Sequence, residues 1–200
     1  MKPLPIITAG LLLISSSGAG FQRPALASSF AGLEFTSSTR EVKEVCSKAG
    51  LKVVSEETKR DTTFDNDNRN TTIAFAGAID KSDYPVKFVE TDCSFLNDSL
   101  VIVAMISERC WFRDEREEQT QRGVALHQLL AMAQYLAGKF GRQPDKVPEY
   151  PLWFAWHEGQ LLIMVNMQIS PDYPKSPGYH GICYGIIYTG IRGNFDPFSE

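Results

Sequence analysis

The residues between Asp114 and Gly141 leave the chain the fewest choices. Leu126, Leu129, Leu130, Ala133, Ala137 and Phe140 recur at helical spacing, which puts them on one stripe of an α-helix that must be covered by something apolar. Asp114, Glu115, Glu117 and Glu118 supply negative charge where the positive end of the helix dipole falls, and Gly141 stands where a left-handed cap closes such a helix. Gly123 weakens the middle of the run, so a later start is the alternative. The other patterned stretches are short and rich in Val, Ile, Phe, Tyr and Trp, and each reads as a strand. The fold class that follows is α+β: a mostly antiparallel sheet packed on one long helix.

The N-terminal residues read as an export signal. Lys2 gives the positive start, Leu4 to Ile14 the apolar core, and Ala25-Leu26-Ala27 the small-residue cleavage pattern, which defines a signal peptide over 1–27. A cut after Gly20 also fits, because the stretch from Ser15 to Leu26 is long and polar. The apolar run is about 11 residues where a spanning helix needs roughly 20. No cysteine follows either cut, as a lipid anchor would require. The expectation is a periplasmic or secreted protein with no stable membrane anchor after cleavage. Loss of 1–27 removes Lys2, Arg23 and no acid, taking the net charge from −4 to −6 and excluding a basic, nucleic-acid-binding chain. Residues 28–200 suit a single α+β domain with halves of about 28–112 and 113–200.

In the first half, Ser38-Thr39-Arg40-Glu41 matches a capping box, and Val42, Val45, Cys46 and Ala49 form the stripe of a short helix that Gly50 ends. A short strand around Leu51 and Val53 follows. Glu56 to Thr71 is almost wholly polar and reads as a solvated turn. Within it, Asp65 to Asn70 alternates oxygen donors, but Arg69 and Ala76 occupy positions where a calcium loop needs a ligand. Thr72 to Ile79, Val86 to Phe95 and Leu100 to Ser107 are strand candidates, the last two joined as a hairpin at Asn97-Asp98.

The second half opens on the long helix. Pro144, Pro148 and Pro151 then enforce an extended connector. Strands are expected over Leu152 to His157, Gln160 to Ile169 and Ile182 to Thr189, with a hairpin at Glu158-Gly159 and a proline-bearing loop from Pro171 to Gly181. The order is a helix and a meander, twice.

The run Phe35-Thr-Ser-Ser-Thr-Arg-Glu-Val-Lys-Glu-Val, followed by Gly50 and a strand, resembles the opening of small bacterial envelope proteins. The β-lactamase inhibitor protein type and the small lipoprotein of the outer-membrane β-barrel assembly machine are examples. Lys139-Phe140-Gly141, a proline-bearing connector and Trp153 continue the likeness. It implies a periplasmic protein-binding domain and carries over no functional residue. The absent lipobox cysteine departs from the lipoprotein pattern.

Cys46, Cys93, Cys110 and Cys183 make an even count, which in an oxidising compartment points to two bridges. Three connectivities are open. Cys46 with Cys93 and Cys110 with Cys183 is favoured, because each pair ties a helix or its approach to a strand of the same half. Catalysis has one local candidate, a hydrolase or thiol enzyme using Cys183 and His180, yet residues three apart on a strand point to opposite faces. A zinc site would need His127 and His157 as well. Neither GxGxxG nor a phosphate-binding P-loop occurs, so no cofactor and no metal is expected.

Aromatic residues crowd the last third. Tyr and Trp on an open sheet face are common anchors of interfaces, and Trp156, Tyr173, Tyr179, His180 and Tyr184 are the residues expected to meet a partner. The functional expectation is a non-catalytic inhibitor, immunity or envelope-assembly factor. Its partner would be another envelope or secreted protein.

Overall fold

The computed structural model describes residues 29–61, 68–145, 152–169 and 177–189. The expected signal segment, Tyr173 and most of the Pro171 to Gly181 loop lie outside the described residues.

The chain opens with a small hairpin, β1 (Ser29–Phe30) with β2 (Leu33–Glu34). Helix α1 (Thr39–Lys48) follows, and its capping box is complete. The Ser38 N–H donates to Glu41 Oε2 at 2.8 Å and the Glu41 N–H to Ser38 Oγ at 3.4 Å, a cap worth about 1 kcal/mol. Gly50 closes the helix at φ 83°. Val42 and Cys46 are its buried residues.

Four strands then run back and forth: β3 (Lys52–Asp61), β4 (Asn68–Ala76), β5 (Phe88–Leu96) and β6 (Ser99–Ser107). Most of the polar stretch expected to be a turn is a β3–β4 hairpin. It pairs without apolar alternation because β3 is an edge strand, exposed on both faces from Lys52 to Arg60. Asn68 and Asn70 lie in β4, whereas Asp65 to Asp67 lie outside the described residues. The β5–β6 turn is as expected, with Asn97 at φ 50° and Asp98 at φ 65°, a type I′ geometry.

After β7 (Cys110–Phe112) comes α2 (Glu115–Phe140), capped by Asp114 and ended by Gly141 at φ 66°. The helix runs unbroken through Gly123. Its buried residues are Ala125, Leu129, Met132, Ala133 and Leu136, so the stripe is rotated from the expected one: Leu126 is 38% exposed and Leu130 45%. Strands β8 (Trp153–Glu158), β9 (Leu161–Ile169) and β10 (Gly178–Tyr188) complete the fold.

The strands form one sheet in the order β3-β4-β5-β6-β10-β9-β8, with every neighbouring pair antiparallel. The two meanders meet where β10 pairs with β6. Beyond the end of that ladder β7 pairs with the first residues of β10. Both helices cover the same face, where Val42, Cys46, Leu129 and Leu136 join Cys93, Val103, Ile163 and Tyr184 in the main core. The opposite face carries a smaller cluster of Ala155, Leu162, Met164 and Ile187.

Candidate protein-binding site

The pleat of β7 sends alternate side chains to opposite faces. Phe112 turns inward and is 2% exposed, whereas Trp111 turns outward and is 54% exposed. Register then sets the neighbours of Trp111. It pairs with Tyr179 across the ladder, and the two rings sit 5.3 Å apart, edge to face at 61°. The Arg109 guanidinium lies over the Tyr179 ring at 4.8 Å, a cation–π contact that holds the phenol ring from its open side. Arg109 also reaches Glu90 at 3.9 Å, an exposed pair of little energetic weight.

Trp111 divides two shallow clefts. One, of about 410 Å³, is lined by Val89, Glu90, Ile106 and Arg109; the other, of about 480 Å³, by Arg113, Glu117, Gln121 and Pro177. Val89 adds apolar surface, being 37% exposed. Among the described residues no strand pairs with the outer edge of β7. A second apolar groove, of about 790 Å³, runs between α2 and β8 past Leu130, Ala137, Gly141 and Phe154.

Of the residues expected to meet a partner, Tyr179 is in this cluster. Trp156, Tyr184 and His180 are not. Trp156 is fully buried against Phe140, its Nε1–H donating to the Arg142 carbonyl at 3.3 Å. Tyr184 is 3% exposed among Phe30, Tyr84 and Phe88, and burial pushes its hydroxyl pKa up. His180 is fully buried and stacks on Phe112 at 4.9 Å. Its Nε2 is 3.9 Å from Glu118 Oε1, and neither ring nitrogen has a hydrogen-bond partner. All three point toward the helices because their strand positions share the parity of the main core. Trp111 was not singled out from sequence: a three-residue strand is too short to display a period.

The catalytic pair is not assembled. His180 faces α2, while Cys183 stands on the other face of β10, and burial pushes its thiol up to about 12. A thiol that keeps its proton is a poor nucleophile. His127 is on the exposed side of α2, and His157 is an exposed residue of β8. Among the described residues no group of three or more His, Cys, Asp or Glu is placed to hold a metal.

The two expected bridges are absent, since all four cysteines are free. Cys110 pairs with His180 in the ladder and shares its face, and Cys183 occupies the opposite face three residues along. The register thus excludes a bond between them. Cys46 and Cys93 both lie buried in the main core as free thiols, and Cys46, with burial reinforcing it, pushes the Cys93 thiol pKa up.

One other polar feature borders the cluster. Asp92 lies two residues from Glu90 on the same face, and burial, reinforced by the Glu90 charge and partly offset by Arg109, pushes its carboxyl up to about 6. Its Oδ1 is buried without a hydrogen-bond partner. The chain matches no protein-family model, no curated protein and no solved structure.

Proposed function

We propose that this is an exported, non-catalytic protein-binding domain, an inhibitor, immunity or envelope-assembly factor, that grips another envelope or secreted protein through Trp111, Tyr179 and Arg109. One observation carries the reading: a tryptophan more than half exposed, braced by a tyrosine and an arginine, beside a strand edge that nothing described covers. Trp, Tyr and Arg are the residue types that dominate binding energy at protein interfaces. The braced rings have little side-chain entropy left to lose when a partner closes on them. The same role is what the resemblance to small envelope proteins implies. The α2–β8 groove lacks such an anchor.

The test is affinity capture from the envelope fraction of the host cell, with Trp111→Ala and Tyr179→Ala beside the parent chain. A captured partner should lose at least about 30-fold in affinity with Trp111→Ala. A partner held at full strength by both variants would remove the cluster from the interface. The absence of any envelope partner would remove the reading itself.

A further inference from the structure

The sheet ends on one side at β3, and among the described residues no strand pairs with its outer edge. At 10 residues it is a long edge to leave open. Lys52 to Arg60 are all exposed, Val53 at 49% and Val54 at 62%. Pairing with β4 sorts its side chains: Glu56, Thr58 and Arg60 stand opposite Ile73, Thr71 and Arg69, and Glu57 and Lys59 opposite Thr72 and Asn70. Glu56 Oε2 meets Lys43 of α1 at 2.7 Å, so the even-numbered set is on the helix side. Glu57 and Lys59 share the other face, where their charged groups lie 3.1 Å apart.

Such an edge can be continued by a copy of itself. In an antiparallel ladder two opposed residues both aim their backbone groups at each other or both aim them away, and the direction alternates along a strand. A strand paired with its own copy therefore matches odd residues with odd and even with even, and the two-fold axis passes through one residue. Charge selects among these axes. Through Glu56, Glu57, Lys59, Arg60 or Asp61 the axis opposes a residue to its own like charge. Axes through Val53, Val54 or Ser55 fall at the β-bulge. Through Thr58 the axis opposes Glu57 to Lys59 and Glu56 to Arg60 of the other copy, on both sides, with no like pair between Ser55 and Asp61.

We propose that two copies of this chain associate through β3, antiparallel about Thr58, and join their sheets into one. The opposed charges set the register more than the strength, because they are exposed. Pairing from Ser55 to Asp61 buries less than a standard interface, so the dimer dissociates with a constant of about 10–100 μM. Mixed charges on an open edge ordinarily keep strands apart; their antisymmetry about Thr58 turns them to pairing. The strands β4, β5 and β6 separate β3 from β10, so the inference does not depend on the Trp111 cluster.

The experiment is sedimentation velocity on the full chain from about 1 to 500 μM, at about 50 and 500 mM salt. The parent chain should pass from monomer to dimer over this range and associate more weakly at the higher salt. Glu57→Lys puts like charge opposite Lys59 on both sides of the axis and should weaken the dimer at least about tenfold. Glu57→Lys combined with Lys59→Glu exchanges the pair and should restore the dimer to within about threefold of the parent. Both positions are exposed, so the fold tolerates the changes. A chain monomeric throughout, a dimer indifferent to Glu57→Lys, or one that the exchange does not restore would each overturn the proposal. So would a dimer lost with Trp111→Ala, which would belong to the β7 cluster instead.

Discussion

The Phe112 ring occupies the space where a side chain at Gly178 would begin: a Cβ built on Gly178 collides with the far edge of that ring. The two residues are direct partners in the β7–β10 ladder, so the glycine is what lets Phe112 fold inward and Trp111 fold outward. Gly178→Ala must displace Phe112, an overpacking that costs about 2 kcal/mol and lowers Tm by about 4–8 °C. Thermal melts measure the cost. The near-ultraviolet circular dichroism of Trp111 and Tyr179 should change with it, because the ring pair depends on the same register.

Gly123 presents the opposite situation. It lies inside α2 with nothing within 4 Å of where a Cβ would sit. Alanine there adds helix propensity without a clash, and Gly123→Ala should stabilise the protein by about 1 kcal/mol. Urea titration at unchanged m-value would show it as a higher midpoint.

Asp92 should make stability depend on pH through one titration. Burial pushes its carboxyl up to about 6 in the folded state, above the 3.8 of an ordinary aspartate. Between these values the folded state keeps a proton that the unfolded state has released. Stability from this group is therefore greatest below pH 3.8, falls as pH rises toward 6, and is level beyond. Asp92→Asn removes the charge but adds two amide donors that the site does not pair. The expected net effect is a gain of about 1 kcal/mol at pH 7 and a loss at pH 3.5, where the neutral carboxyl carries no charge to relieve. A gain equal at both pH values would mean that Asp92 does not titrate in this way.

His180 acts in the other direction. Burial holds its pKa below 6.5, with Glu118 opposing and Arg122 reinforcing the shift. Above pH 6.5 both folded and unfolded states are neutral. Below it the unfolded state takes up a proton that the folded state refuses, so stability is lost as pH falls through the folded pKa. His180→Phe keeps the stack on Phe112 and removes the titration. Measured at pH 5 and pH 7.5, the variant should gain more on the parent chain at the lower pH.

Local signals were legible in the chain, and long-range parity was not. The capping box at Ser38 and Glu41, the left-handed Gly50 and Gly141, and the Asn97-Asp98 turn each depend on a few neighbouring residues, and each stands where the sequence puts it. Which way Trp156, His180 and Tyr184 point depends on which sheet face the helices cover, and nothing within their own strands records that. The β3–β4 hairpin hid for a related reason: a strand exposed on both faces has no alternation to display. Cys46 and Cys93 face one core from α1 and β5 but are free, so the expected first-half bridge is absent. Cys110 and Cys183 were misjudged because their separation is a matter of β10 register.

The rotation of α2 can be tested directly. Beyond Gly123 the helix carries two adjoining apolar stripes, and their spacing alone does not say which one meets the sheet. In the structure Ala125, Leu129, Met132 and Leu136 are fully covered, whereas Leu126 borders solvent and Leu130 borders solvent and the groove beside β8. Truncating a covered leucine removes transfer energy and leaves a cavity, so Leu129→Ala should cost about 3 kcal/mol. Leu130→Ala, on a side chain 45% exposed, should cost less than about 1 kcal/mol. Denaturant midpoints of the two variants separate the alternatives, because a helix turned by one residue, about 100°, would reverse the order of the two losses.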